Sequence, residues 1–164
     1  MVKLGEGVAL DHKPRATCAV CLVQDGGAYW AHVGDSRIYQ VRGGRIQTRT
    51  RDHSNVELLL REGLIAESEM RSHPMRNFVE CCLGGDVPLP DMSVTARTKL
   101  EPGDVLLVCT DGLWSGLEDA DFGAVSDEGT SMDKAIRALA DRAVANNSPH
   151  SDNTSVTAVR WRNA

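Results

Sequence analysis

Asp111-Gly112 follows directly on the apolar run Val105-Leu-Leu-Val-Cys109 and Thr110, so a carboxylate emerges where a strand must stop and turn. A hard divalent cation prefers oxygen ligands carried on stiff elements, and the end of a strand is one. Asp-Gly is equally among the commonest turn dipeptides, and taken alone Asp111 reads as well that way. Asp152-Asn153 repeats the device after the loop Asn147-Ser-Pro-His-Ser151 and just before a last alternating run, where an Asx turn or cap is the competing role. Gly34-Asp35-Ser36-Arg37 is a polar break between two β-type runs; the glycine permits a bulge, and the charged pair serves either a site or merely each other. Two or three carboxylates on the ends of adjacent strands make a divalent-cation cluster of the Mg²⁺/Mn²⁺ kind, in which a water of lowered pKa becomes a nucleophile for a phosphate ester. Spacing alone does not show that these three aspartates converge.

The elements that must carry them are legible from pattern. Residues 17–24 alternate like a strand, Asp25-Gly-Gly27 is a turn, and residues 28–33 return as the second arm of an antiparallel hairpin. Residues 37–41 and 45–50 repeat the logic around Arg42-Gly-Gly44. Ser54-Asn-Val-Glu57 has the spacing of a capping box for a helix running towards Arg61 and ended by Gly63. A second short helix is expected over 67–72, before His73-Pro74. Residues 78–83 and 92–100 read as further strands, and Glu101-Pro-Gly-Asp104 as the turn into a fully apolar central strand over 105–109. Apolar positions 132, 135, 136, 139, 140, 143 and 144 describe an amphipathic helix with one buried stripe, and residues 154–161 close as an alternating strand. The sum is an α+β domain of mostly antiparallel sheets covered by helices.

With 164 residues, 41% of them hydrophobic, the chain supports one core. Its net charge of -5 argues against a nucleic-acid footprint. No apolar run approaches the roughly 20 residues of a membrane span, and none has the form of a secretory signal, so no membrane partner and a cytoplasmic location are expected. Cysteines 18, 21, 81, 82 and 109 are odd in number and suit reduced, buried thiols. Cys18 and Cys21 spell CxxC, but strand alternation sends their sulfurs to opposite faces, and no second pair stands at a zinc-like spacing. A Gly-x-Ser-x-Gly elbow, a His-Glu-x-x-His pair and a P-loop are all lacking, which leaves acyl transfer, zinc proteolysis and nucleotide hydrolysis without their usual local geometry.

Seven segments, in order and spacing, resemble the bacterial PPM (type 2C) serine/threonine protein phosphatases over about residues 17–162: Gly34-Asp-Ser-Arg-Ile-Tyr39, Thr50-Arg-Asp-His-Ser54, His73-Pro-Met-Arg-Asn77, Leu83-Gly-Gly85, Pro102-Gly-Asp104, Cys109-Thr-Asp-Gly-Leu113 and Asp152-Asn-Thr-Ser-Val156. The resemblance implies a sandwich of two packed, mostly antiparallel sheets flanked by helices, with residues 1–16 as a loose lead-in and 17–164 as the C-terminal part of a single domain. It implies that Asp111 and Asp152 match two aspartates of a dinuclear Mn²⁺ or Mg²⁺ centre, and that Asp35 matches the aspartate of an additional metal. Catalysis would then need no group beyond the metal ligands: a metal-activated water hydrolyses phosphoserine or phosphothreonine without a covalent phosphoenzyme. The implied partners are a phosphorylated protein substrate and a cognate Ser/Thr kinase.

The family's N-terminal acidic ligand, its phosphate-binding basic residue and its Asp-Gly-x-Gly-Gly motif have no match here, and Asp11-His12-Lys13-Pro14 does not substitute for them. Ser115 stands where many relatives have an acidic residue. The expectation is an N-terminally truncated domain with exposed sheet edges, carrying about half of the dinuclear site; a catalytically inactive phosphatase-like binding or regulatory module is the alternative. His32 is read as a packed or hydrogen-bonded strand residue, and His53 and His73 as fixing loops. Arg37 is read as orienting Asp35 or its loop, and Trp114 as core cover more than groove wall.

Overall fold

The structure is a computed structural model that describes residues 13–70, 73–76, 78–84 and 91–162. Strands β1 (Cys18–Gln24) and β2 (Gly27–Val33) form the expected hairpin, in register from Cys18↔Val33 to Gln24↔Gly27. Its two loop residues, Asp25 and Gly26, have φ of 50° and 66°, the conformation whose twist suits a two-residue hairpin. The chain then crosses to a second sheet through Gly34-Asp35-Ser36. β3 (Arg37–Arg42) and β4 (Arg45–Arg49) pair with a bulge between Gln40 and Val41. β5 (Ser93–Val94) and β6 (Thr98–Lys99) return to the free side of β2. β7 (Val105–Cys109) and β8 (Val156–Arg160) complete the second sheet, in the order β4-β3-β7-β8, antiparallel throughout.

The two sheets pack face to face, and period-two alternation divides the second sheet's side chains between two layers. Ile38 and Leu106 point at Ala28 and Trp30 of the first sheet. Tyr39, Val41, Val105, Leu107 and Cys109 point the other way, onto α3 (Asp111–Trp114), a 3₁₀ stretch (Asp119–Ser126) and α4 (Met132–Asn146). β7 is thus buried on both faces, which is why its sequence is apolar without alternation. α4 buries Ala135, Leu139 and Ala143, the stripe its periodicity describes, and Ser131 caps its N-terminus by accepting from Lys134 N at 3.5 Å. The helices cover the second sheet, while Val20, Leu22, Tyr29 and Val94 of the first remain exposed.

Several expectations are corrected. Residues 78–83 form no strand: Val79 bridges Ser54 and Leu83 bridges Ala16, and partners on different elements cannot make one ladder. The run over 92–100 splits into β5 and β6, because Thr95 Oγ1 accepts from Trp30 N at 3.1 Å where a backbone carbonyl would continue the pairing. The capping box at α1 (Asn55–Arg61) is only half made: Ser54 accepts from Glu57 N, while the Glu57 carboxylate faces Arg49 at 3.8 Å. α2 is described over Glu67–Met70, and the rest of the expected helix lies outside the described residues, as do Asn77, Gly85 and residues 1–12 of the lead-in. Ala16, assigned to the lead-in, is hydrogen-bonded to Leu83 in both directions, at 3.1 and 2.8 Å. Of the five cysteines only Cys109 is buried; β1 is an edge strand and Cys81-Cys82 lies in irregular chain, so the other four are part-exposed. Cys21 faces inward with Ala19 and Val23, on the opposite face from Cys18.

Candidate metal centre

Register brings the three aspartates together. Arg37, at the start of β3, pairs with Cys109, at the end of β7, and Cys109 pairs with Val156, at the start of β8. Antiparallel order therefore sets the entry to β3, the exit from β7 and the entry to β8 at one end of the sheet, and Asp35, Asp111 and Asp152 lie just beyond those positions. Thr110 stitches the last two turns: its amide donates to Ser155 O (3.1 Å), its hydroxyl donates to Asn153 O (3.2 Å), and that hydroxyl accepts from Ser155 N (3.0 Å). Gly112 lies beneath the Asp152-Asn153 turn so closely that a Cβ there would stand 2.6 Å from Asn153 O. Gly34, at φ 98°, supplies the left-handed residue that turns the chain between the sheets.

All three aspartates line one cleft of about 1010 Å³, which Arg49, Arg76 and His150 also reach. Asp111 is half-buried and opens α3, with one carboxylate oxygen accepting from Gly112 N at 2.9 Å. Asp152 is exposed and accepts from Asn153 N at 2.6 Å, an Asx-type contact of the kind that competes with a metal role. Burial pushes the Asp35 carboxyl up to about 6, helped by the neighbouring Asp111 and Asp52 charges and opposed by its own backbone amide and Arg37. Asp111 is likewise raised, first by burial and then by Asp152. The carboxylates therefore interact in pairs, Asp35 with Asp111 and Asp111 with Asp152. Among the described residues no three His, Cys, Asp or Glu side chains form a group that could hold one ion.

Arg37 does not pair with Asp35. Its guanidinium grips Asp52 with two parallel bonds, Nε to Oδ1 at 2.8 Å and a terminal nitrogen to Oδ2 at 2.7 Å, and its other terminal nitrogen donates to the Tyr39 hydroxyl at 3.2 Å. Its flat face lies over the Trp114 ring, 3.5 Å from the centroid. Trp114 is both cover and wall: it packs on the core, lines the cleft and donates its indole N–H to Asp35 O at 2.9 Å. Sequence reasoning singled out neither Asp52, whose only signal is its place in Thr50-Arg-Asp-His-Ser54, nor Asn147, whose side chain donates to Ser115 Oγ at 3.0 Å and Gly112 O at 3.4 Å. His32 is buried with Nε2 2.6 Å from Arg51 O, and its ring lies against His53. His53 accepts from Gly34 N at 3.4 Å and meets Ser93 Oγ at 2.7 Å, and His73 accepts from Met75 N at 3.2 Å. All three do the packing and loop-fixing expected of them.

No family model matches the chain. It is 37% identical over 126 residues to a protein phosphatase 2C-type protein of Streptococcus pyogenes, a match that takes in 76% of this chain and 50% of the relative. The structure superposes on the S. agalactiae serine/threonine phosphatase with a TM-score of 0.82 at 34% identity, covering 99% of this chain and 64% of that one. It also superposes, with a TM-score of 0.73 at 24% identity, on the catalytic domain of the phosphatase PstP solved in complex with 2 manganese ions, over 91% of this chain and 60% of that one. The chain spans about half the length or less of the curated relatives it matches, 50% of one and 39% of the next. Sequence and fold agree on one group over most of this chain: the relatives and structural neighbours it matches are bacterial type 2C (PPM) serine/threonine protein phosphatases.

Proposed function

We propose that this chain supplies carboxylate ligands to the Mn²⁺- or Mg²⁺-dependent centre of a phosphatase acting on phosphoserine and phosphothreonine in proteins. The observation that carries the reading is the register of β3, β7 and β8, which gathers Asp35, Asp111 and Asp152 at one end of one sheet. The donor chemistry fits: hard carboxylate oxygens on stiff strand ends suit Mn²⁺ and Mg²⁺, and a cation would offset the burial and, after it, the mutual repulsion that raise Asp35 and Asp111. Asp111 and Asp152 would hold such a cation, with Asp35 directed to an additional one. When bound, such a cation lowers the pKa of water and offsets charge on the phosphoryl group. The chain's own work is to gather these carboxylates at one end of a sheet, in a cleft wide enough for a phosphorylated segment. A Ser/Thr kinase would produce the substrate.

The test is hydrolysis of an aryl phosphate and of a phosphothreonine peptide, with and without Mn²⁺, by the chain and by a version bearing Asp111→Asn. Mn²⁺-dependent turnover that Asp111→Asn abolishes is expected; turnover untouched by the substitution rules the assignment out. A second reading, a phosphatase-like binding module without catalysis, is favoured by the pairwise rather than threefold grouping of the carboxylates among the described residues. It predicts phosphopeptide binding with no Mn²⁺-dependent hydrolysis by either version.

A further inference from the structure

α3 is a single turn of four residues, Asp111–Trp114, too short to hold its own direction, since isolated helices need several turns to be stable. Asp35 sits in a three-residue crossing between two sheets. The elements that bear Asp35 and Asp111 therefore do not by themselves fix the spacing between the two. What joins them is the indole at the far end of α3. Its edge donates to the Asp35 carbonyl at 2.9 Å, and its face is covered by the Arg37 guanidinium at 3.5 Å. Arg37 is in turn locked by its two bonds to Asp52, whose side chain is 2% exposed. Ordinary core cover would use only the ring's apolar surface. Here the polar edge and the π face are both turned to the Asp35 side of the cleft.

We propose that Trp114 is a positioning residue, clamped edge-on by Asp35 O and face-on by Arg37, that fixes the spacing between Asp35 and Asp111. The consequence for cation affinity rests on the metal reading above, but the clamp does not. A phenylalanine keeps the face and loses the edge contact. A lysine at position 37 keeps the charge and loses both the fork and the flat cover. The clamp thus has two separable halves.

Exchange of the indole N–H protons, followed by NMR in metal-free buffer, reads the clamp directly. The Trp114 proton should exchange more slowly than an exposed indole, and Arg37→Lys should speed it about fivefold, the size of one lost hydrogen bond, without changing Trp161. A Trp114 indole that exchanges at the exposed rate in the unaltered chain, or one that Arg37→Lys does not affect, overturns the proposal. Free Mn²⁺, counted by its paramagnetic resonance, reads the consequence: Trp114→Phe should weaken binding about fivefold in a chain that circular dichroism shows to be still folded. Binding to the unaltered chain that Trp114→Phe leaves intact also overturns it. If the unaltered chain takes up no Mn²⁺ at all, it is the metal reading that fails, and the exchange rates alone decide the clamp.

Discussion

Asp35 stands between two other carboxylates, and its titration is the most direct probe of the site. Its folded pKa, about 6, lies above the ordinary 3.8, so the folded chain holds this proton more tightly than the unfolded chain does. The contribution to stability is then fully present below 3.8 and is lost as the pH rises through about 6. In chelator, the unfolding midpoint of the chain should fall across that window, and Asp35→Asn should flatten the fall; equal slopes for both proteins would remove this account. Mn²⁺ competes with the same proton, so its affinity should climb across the window, which titration at several pH values would measure. Asp52 is a buried carboxylate matched by Arg37. Asp52→Asn removes the charge and leaves a largely buried guanidinium without its partner, and a loss of about 3 kcal/mol in urea unfolding is expected. A sequence gives Asp52 no mark that Asp111 lacks, because the partner that explains it is fifteen residues away and visible only once β3, β4 and the chain after them are folded.

α4 and β7 were legible because their patterns are complete: one buried stripe at helical spacing, and an apolar run too short for a helix between turn signals. α3 was not legible as a helix. Four residues hold barely one turn, and Asp-Gly reads as a turn either way. Residues 78–83 failed for a different reason. Their β-type composition answers to partners that change from residue to residue, as Val79 meets Ser54 and Leu83 meets Ala16. The contact between α3 and the turn before β8 gives the test proper to this scale. Gly112→Ala would set a methyl 2.6 Å from Asn153 O and 2.9 Å from Thr154 Oγ1, so the Asp111 and Asp152 turns must separate. A cost of about 1–3 kcal/mol is expected by denaturant unfolding, with weaker Mn²⁺ binding, whereas Gly43→Ala, where a Cβ meets nothing, should leave Mn²⁺ binding as it is.

For the molecule as a whole, the three aspartates reach one end of one sheet only through the order β3-β7-β8, which hydrophobic pattern did not dictate. The expected open edges are present. Among the described residues β1 and β8 each pair on one side only, and an apolar cleft of about 340 Å³ lies between the sheets along them, lined by Val23, Leu106 and Ala158 among others. Val20, Leu22 and Val159 add exposed side chains of 54%, 55% and 57% to that side. Such a surface should bind an apolar dye and drive concentration-dependent association; Val20→Lys with Val159→Lys should reduce light scattering on concentration, since edge lysines oppose strand addition. β8, however, is more than an edge. The strand that offers unpaired backbone groups along its length also begins four residues after Asp152, so one rigid rod connects the open seam to the acidic turn. A segment that docks along β8 would restrain that turn, and a cation held at the turn would steady the seam. Thermodynamic reciprocity makes the two effects equal in size.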